Sequence, residues 1–156
     1  MQFDLIAVGK RMPTWIDSAF SEYLKRLPKK INFNLIEIAP VTRVNKKNSE
    51  QSRKNEEKKI NEVIANDCVF IVLDEKGKSI NSHELSIELQ TWIDNQQHVS
   101  MLIGGADGLS SSIKNKADNI WSLSAMTLPH SLTRIIVIEQ IYRAWSIINH
   151  HPYHRE

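Results

Sequence analysis

The chain has 156 residues, of which 41% are hydrophobic and 24% are charged, and its formal net charge at pH 7 is +2. This length fits one domain over residues 1–156, and the composition is that of a globular protein rather than a disordered one. Its apolar runs are too short to cross a membrane, and basic residues follow the first apolar segment, whereas a secretion signal places them before it. The single cysteine, Cys68, lies in an apolar run and is interpreted as a buried core thiol, so we expect a cytoplasmic protein without an intrachain disulfide.

The first half of the chain shows two strand patterns and two helix patterns. Apolar periodicity predicts strands over 2–9 and 31–39, a helix from Pro13 to about Pro28 and a second helix over 49–65. Pro13 suits the first turn of a helix because its missing N–H would have no partner there. The segment 40–48 is polar and basic, which is typical of a loop.

The second half contains more strongly apolar strand patterns. The runs 68–73 and 99–103 are continuously apolar, as in strands that are covered on both faces of a parallel sheet, and another strand is predicted around 120–123. The segment 74–79 is predicted to be a charged loop. Asn81 or Ser82 can cap a following helix, and a short helix is predicted from about Ser110. Strands that alternate with helices predict an α/β fold with a mostly parallel sheet and flanking helices.

The last predicted helix, from about His130 to Ile148, is apolar around most of its circumference. Such a helix must be covered nearly everywhere, and a chain of this size has little material to do so. We therefore expect a homodimer that buries part of this helix. Two pairs spaced i,i+4 lie on it, His130 with Arg134 and Glu139 with Arg143, and both are interpreted as structural.

Basic residues are concentrated in the first part of the chain. Residues 1–59 hold 13 Lys and Arg against 7 Asp and Glu, whereas residues 60–156 hold 7 against 11. The density is highest between Arg43 and Lys59. This segment is either a surface that attracts RNA phosphates or a solvated helix face with internal ion pairs. The sequence leaves both interpretations open.

The loop after the 99–103 strand has the composition of a ligand-binding loop. Gly104, Gly105 and Gly108 are three of the five glycines, and loops without Cβ atoms let a ligand approach the backbone at the carboxyl edge of a parallel sheet. Their spacing does not fit the dinucleotide fingerprint. The Gly77-Lys78-Ser79 tripeptide also fails as a phosphate-binding loop, because Val72 stands where that motif requires its first glycine.

A second segment, Leu123–Leu128, is uncharged and lies between a predicted strand and a predicted helix. Its backbone groups need partners if it is buried, and an adenine ring offers both an apolar face and hydrogen-bonding edges. We therefore expect three strand ends to converge around a ligand, namely Leu73, Gly104 and Leu123–Leu128.

The tail after the last helix is rich in histidine and also holds Tyr153 and Arg155. Zinc is not expected there, because Cys68 is predicted to be buried and Pro152 stiffens the turn between the histidines. The tail is either a mobile polar terminus or a segment that stacks on bases and holds phosphates.

Several long motifs, in this order along the whole chain, resemble the RlmH (YbeA) family of ribosomal large-subunit pseudouridine N3-methyltransferases. They are Ala7–Trp15, Tyr23–Pro28, Ile103–Ser110, Trp121–His130, Tyr142–Ile147 and His151–Glu156. The resemblance implies a SPOUT α/β fold with a C-terminal trefoil knot, a homodimer, and activity on large-subunit ribosomal RNA within the ribosome. The knot itself is not predicted by periodicity, since threaded chains are rare among folds.

The same resemblance assigns residues. It implies S-adenosylmethionine as the cofactor, bound by Leu73, Gly104, Leu123, Ser124, Ala125, Met126, Thr127 and Leu128. It also implies that Tyr153, His154 and Arg155 recognise the substrate. For catalysis, His154 is expected to accept the imide proton of the base or Arg155 to stabilise the negative charge that develops on it, and these roles stay open. One alternative is a non-catalytic RNA-binding or ribosome-associated factor on the same fold, which leaves the uncharged 123–128 segment unexplained. Another is a nucleotide-using enzyme unrelated to RNA, which leaves the basic first half of the chain unexplained.

Overall fold

Strands and helices alternate along the chain in the computed structural model, which describes residues 1–10, 12–40, 49–105 and 108–155, with only the backbone of 49–53. The strands are β1 (Gln2–Val8), β2 (Asn32–Ile38), β3 (Val69–Ser79), β4 (His98–Ile103) and β5 (Asn119–Ser122). The helices are α1 (Thr14–Arg26), α2 (Ser49–Val63), α3 (Ser82–Asp94), α4 (Ser111–Lys116) and α5 (His130–Ile148). The predicted basic loop over 41–48 lies outside the described residues.

The described strands form one parallel sheet in the order β2-β1-β4-β3-β5. Phe3 of β1 pairs with Phe33 of β2 on one side and with Val99 of β4 on the other. The parallel sheet that the hydrophobic pattern predicts is therefore confirmed. Since every pair is parallel, the carboxyl ends of the strands lie along one edge of the sheet, where open α/β sheets bind ligands.

β3 is longer than the sequence predicts. Its first part pairs with β4 up to Leu73. The register to β5 then shifts between Leu73 and Lys78, and Ser79 pairs with Ser122. The segment 74–79, predicted to be a charged loop, is thus a bulged strand extension, and that prediction is wrong. Gly77 allows it, because a Cβ atom there would lie 2.7 Å from the carbonyl oxygen of Ile120.

Two hydrophobic cores cover the two faces of the sheet. One face packs against α1, α3 and α5 through residues such as Phe20, Leu89 and Ile138, and the other packs against α2 and α4 through Ile60 and Ile113. Burying side chains of this kind stabilises the fold by about 1.5–3 kcal/mol each relative to exposed ones. Cys68 packs against the edge of the second core but is only partly buried, so the predicted buried core thiol is confirmed only in part.

The helices α3 and α4 each follow a residue whose side chain caps them. The Asn81 side chain accepts the backbone N–H groups of His83 and Glu84, and Glu84 accepts the N–H of Asn81 in return. This reciprocal arrangement satisfies N–H groups that a helix leaves free at its start. Ser110 similarly accepts the N–H of Ile113 at 3.2 Å. Asn81, one of the two predicted cap residues, and Ser110 therefore fix where α3 and α4 begin.

Within residues 1–10, 12–40, 49–105 and 108–155, none of the helices has the length and apolar character needed to span a membrane. In the same ranges, no three His, Cys, Asp or Glu side chains are grouped in a way that could hold a metal ion.

Candidate functional site

A pocket of about 820 Å³ lies at the carboxyl edge of the sheet. Segments that are far apart in the chain form its wall: the end of β3, the glycine loop after β4, the loop after β5 and the first turn of α5. Its size falls in the range of about 300–1,000 Å³ that small-molecule sites occupy. The pocket is therefore large enough for a cofactor of nucleoside size.

The three strand ends expected to converge do lie around this pocket. Seven of the eight residues that the resemblance assigns to the cofactor line it, namely Leu73, Gly104, Leu123, Ser124, Met126, Thr127 and Leu128. The eighth, Ala125, is exposed in the same loop and does not contribute to the wall.

Hydrogen bonds from side chains shape the loop after β5. The Ser122 hydroxyl donates to the Ser124 carbonyl oxygen at 2.9 Å, and the Ser124 hydroxyl accepts the N–H of Met126 at 2.9 Å. The Thr127 hydroxyl donates to Glu75 at 3.1 Å and so ties the loop to the β3 extension. Met126 nevertheless leaves 75% of its surface exposed at the rim. The loop is held at both ends while its apolar middle faces the opening.

Charges of both signs stand at the β3 side of the pocket. Asp74 forms an ion pair with Lys114 of α4 and accepts the backbone N–H of Lys76 at 2.9 Å. Burial raises the pKa of the Asp74 carboxyl, but the hydrogen bonds from Lys114 and Lys76 outweigh it, and the pKa lies below its usual value. Asp74 is therefore ionised at neutral pH. Glu75 lies beside it in the pocket wall.

The packing of its own loop requires a glycine at position 104, in addition to the room that a glycine leaves for a ligand. A Cβ atom at this position would lie 2.8 Å from Cγ of Leu109, which also lines the pocket. A side chain here would push Leu109 aside and change the shape of the wall. The glycine loop was expected to leave room for a ligand, and at Gly104 that room is shared with Leu109.

His130 and Arg134 have different surroundings although they lie on one face of α5. Arg134 is only 1% exposed, and its guanidinium donates to the carbonyl oxygen of Gly9 at 2.7 Å and to Glu37 at 2.5 Å. It has the structural role that the sequence predicts. His130 lines the pocket, and its buried Nδ1 atom has no hydrogen-bond partner among the described residues.

His130 and Lys114 are pocket residues that the sequence analysis did not assign to the site. His130 could have been found, since it follows the Leu123–Leu128 segment after one proline and begins a helix. Lys114 carries no such signal, because its place in the wall depends on how α4 folds back toward β3. Three of the assigned residues, by contrast, lie elsewhere.

The predicted substrate residues Tyr153, His154 and Arg155 are not among the described residues that line the pocket. The tail folds back along α5, and the Tyr153 hydroxyl donates to Glu139 at 2.9 Å. Glu139 lies nine positions after His130, or about 14 Å further along the helix axis. One chain therefore assembles the expected cofactor residues but holds its own tail away from them.

Comparisons with known proteins agree with this architecture. Residues 1–154 match the family model described as predicted SPOUT methyltransferase. Proteins named ribosomal RNA large subunit methyltransferase H from Methylobacillus flagellatus and Neisseria meningitidis are each 44% identical over 156 residues, which is all of both chains. The protein of that name from Coxiella burnetii is 44% identical over 155 residues, covering 99% of this chain and all of the relative.

A solved structure extends the similarity to the fold. A probable methylase family protein from Haemophilus influenzae Rd KW20 superposes with a TM-score of 0.59 at 12% identity, over 99% of this chain and 70% of the other. At this identity the likeness concerns the fold alone.

Proposed function

The chain belongs to the SPOUT methyltransferase family and to the family of its full-length relatives, ribosomal RNA large subunit methyltransferase H, and we propose that it methylates N3 of a pseudouridine in large-subunit ribosomal RNA with S-adenosylmethionine. One observation carries the proposal. Leu73, Gly104 and the 123–128 loop, which are distant in sequence, surround a single pocket at the carboxyl edge of the sheet. We assign this function to one domain that spans the chain, with the trefoil knot expected of the family.

The residues of the pocket fit S-adenosylmethionine. Apolar side chains at Leu73, Leu123 and Leu128 suit an adenine ring, and the paired charges of Asp74 and Lys114 suit the zwitterionic end of the cofactor. His130 adds an imidazole ring to the wall. When bound, the cofactor supplies a methyl group that its sulfonium already activates, so the protein contributes mainly positioning and electrostatics.

The base must lose its imide proton for N3 to act as a nucleophile. His154 would accept that proton, directly or through water, or Arg155 would stabilise the negative charge on the ring. Both residues are on the tail, which lies outside the pocket of its own chain. A second copy of the chain would bring a tail to each pocket.

The surface of α1 and α5 supports such a homodimer. Trp15 is 57% exposed, and Leu24 and Leu132 are also exposed on these two neighbouring helices. Exposed apolar side chains of this kind are typical of surfaces that a partner covers.

The basic residues supply affinity for RNA in this proposal. Lys58 and Lys59 are exposed on α2, and the neighbouring Lys46 and Lys47 lie outside the described residues. Contacts to phosphates give affinity without reading sequence, so we propose that the assembled ribosome, in the cytoplasm, provides the choice of nucleotide.

Mixing two inactive variants tests the proposal. Gly104→Val should lose the cofactor pocket, and Arg155→Ala should lose the tail function while still binding S-adenosylmethionine. After subunit exchange, the mixture should recover about one quarter of wild-type methyl transfer to ribosomes that lack the mark, because half of the dimers are mixed and each has one intact composite site.

Two outcomes would contradict it. Binding of S-adenosylmethionine without any methyl transfer by the wild type would favour the non-catalytic factor. Two variants that are inactive alone and recover no activity on mixing would mean that pocket and tail do not act together across subunits.

A further inference from the structure

The tail of the chain is turned back onto α5 by a defined helix ending. The N–H of His150 bonds to the carbonyl of Ile147, the N–H of His151 bonds to that of Ser146, and His150 adopts a left-handed conformation with φ of 51°. This pattern is the Schellman motif, which normally places glycine at the left-handed position. The tail therefore leaves α5 in a fixed direction and runs back along the helix.

Tyr153 is the point at which the returning tail is attached. Its hydroxyl donates to Oε1 of Glu139 at 2.9 Å and lies 3.3 Å from the hydroxyl oxygen of Tyr23 on α1. Its ring packs edge-on against Tyr142 with centroids 4.7 Å apart, and the Arg143 guanidinium lies 4.9 Å from the ring centroid. The hydroxyl has a single proton, and the charged carboxylate is the stronger acceptor.

Glu139 is itself held rigidly. Nε of Arg143 donates to its Oε1 at 2.9 Å, and the Gln140 side chain donates to its Oε2 at 2.7 Å. Burial raises the pKa of Tyr153, and its hydrogen bonds to Tyr23 and Glu139 raise it further, so the phenol keeps its proton across the physiological range. The attachment therefore joins a fixed acceptor to a permanent donor.

The two residues that follow are not attached in this way. His154 has a buried Nδ1 atom without a hydrogen-bond partner in the described residues, and Arg155 is exposed. The tail is thus anchored up to Tyr153 and presents His154 and Arg155 beyond the anchor. If these contacts served only to stabilise the end of the chain, they would have no reason to end at Tyr153, directly before the two residues that are expected to act in catalysis.

We propose that Glu139 is a positioning residue that acts through Tyr153, so that His154 and Arg155 are presented from a fixed point on α5. This inference rests on the proposed function, which assigns those two residues to the reaction. It gives Tyr153 the role of holding the tail, where the family resemblance would have it recognise the substrate.

Removing a single hydroxyl tests the anchor. Tyr153→Phe keeps the ring against Tyr142 and Arg143 but loses the donor to Glu139. We expect kcat for methyl transfer to ribosomes to fall about 10- to 100-fold, as misplacement of a catalytic group does, with the dissociation constant for S-adenosylmethionine and the melting temperature unchanged. Release of C-terminal residues by carboxypeptidase should become faster in the same variant.

Glu139→Met and a double variant separate positioning from general stabilisation. Glu139→Met removes the acceptor of the Tyr153 hydroxyl and should lower kcat to a similar extent, and adding it to Tyr153→Phe should lower kcat little further, because both changes remove the same hydrogen bond. Glu22→Gln, which breaks an exposed pair with Lys25 on α1, is the matched control and should leave kcat unchanged.

Wild-type kcat and tail protection in Tyr153→Phe would overturn the anchor, as would fully additive losses in the double variant. Failure of the proposed function is distinguishable: Arg155→Ala would then retain activity, or the wild type would transfer no methyl group, while carboxypeptidase protection by Tyr153 could still be measured on the protein alone.

Discussion

Nε2 of His98 lies 2.6 Å from Oδ2 of Asp4, although the two residues are 94 positions apart and belong to β4 and β1. Asn34 of β2 donates to the same carboxylate at 2.9 Å, and Gln2 donates at 3.2 Å. Burial raises the pKa of Asp4, but these hydrogen bonds outweigh burial and hold the pKa below its usual value. The cluster joins three strands at the amino-terminal side of the sheet, opposite the pocket, so its role is structural.

The free energy of unfolding should therefore depend on pH through Asp4. A carboxyl whose folded pKa is lowered contributes stability that is complete above its unfolded value of 3.8 and is lost as the pH falls through the folded value. Asp4→Asn should cost about 1–3 kcal/mol at neutral pH, and the difference from wild type should shrink as the pH falls from about 5 toward 2.

Urea unfolding at a series of pH values measures this difference. Asp17→Asn, which removes an exposed carboxylate in the first turn of α1, is the control and should cost less than about 1 kcal/mol. A difference for Asp4→Asn that is constant between pH 5 and pH 2 would show that the ionised carboxylate is not the stabilising form.

Thr127→Val should weaken the binding of S-adenosylmethionine. The change keeps the shape of the side chain but removes the hydroxyl that ties the 123–128 loop to Glu75. A bond at an exposed site contributes about 0.5–1.5 kcal/mol, so calorimetry should show a dissociation constant that is about 2- to 10-fold higher. Thr127→Ser keeps the hydroxyl and should bind like wild type. Equal affinities for the valine and serine variants would mean that the tie does not order the loop.

Gly104→Ala should reduce cofactor affinity through Leu109. The new methyl group would lie 2.8 Å from Cγ of Leu109, which must move into or away from the pocket. Leu109→Ala in the same chain removes that collision and should restore part of the lost affinity. An alanine variant that binds S-adenosylmethionine as the wild type does would remove Gly104 from the binding site.

Replacing Lys58 and Lys59 with glutamate should weaken ribosome binding and flatten its salt dependence. Each phosphate contact that is lost should lower the slope of log affinity against log salt concentration by about 0.7–0.9. Lys29→Glu with Lys30→Glu changes the net charge equally at exposed positions between α1 and β2, and it serves as the control. If both double variants show the wild-type slope, the lysines of α2 are a solvated face.

The parallel sheet and the pocket could be predicted from local patterns, because the apolar runs of β3 and β4 and the glycines after Ile103 are contiguous in sequence. The strand extension over 74–79 could not, since its charged residues look like a loop and only the close passage of Gly77 over Ile120 makes them a strand. The i,i+4 pair of Glu139 and Arg143 could also be predicted.

The hydrogen bond that Tyr153 donates to Glu139 of this pair could not be predicted from the sequence. Tyr153 reaches Glu139 only because the Schellman turn at His150 reverses the chain, and a histidine there carries none of the glycine signal that marks such a turn. Lys114 is similar, because its pairing with Asp74 depends on the packing of α4. Contacts that arise from chain reversal or helix packing produce no periodic pattern in the sequence. The trefoil knot, expected from the family resemblance, stays a prediction.

Calorimetric titration of S-adenosylmethionine into the purified protein, with Gly104→Val titrated in parallel, tests whether the pocket binds the methyl donor. We expect saturable binding of one molecule per chain by the wild type and no measurable heat of binding by the variant. Absence of binding by the wild type, or equal binding by both proteins, would contradict the claim that the ends of β3, β4 and β5 form a methyl-donor site.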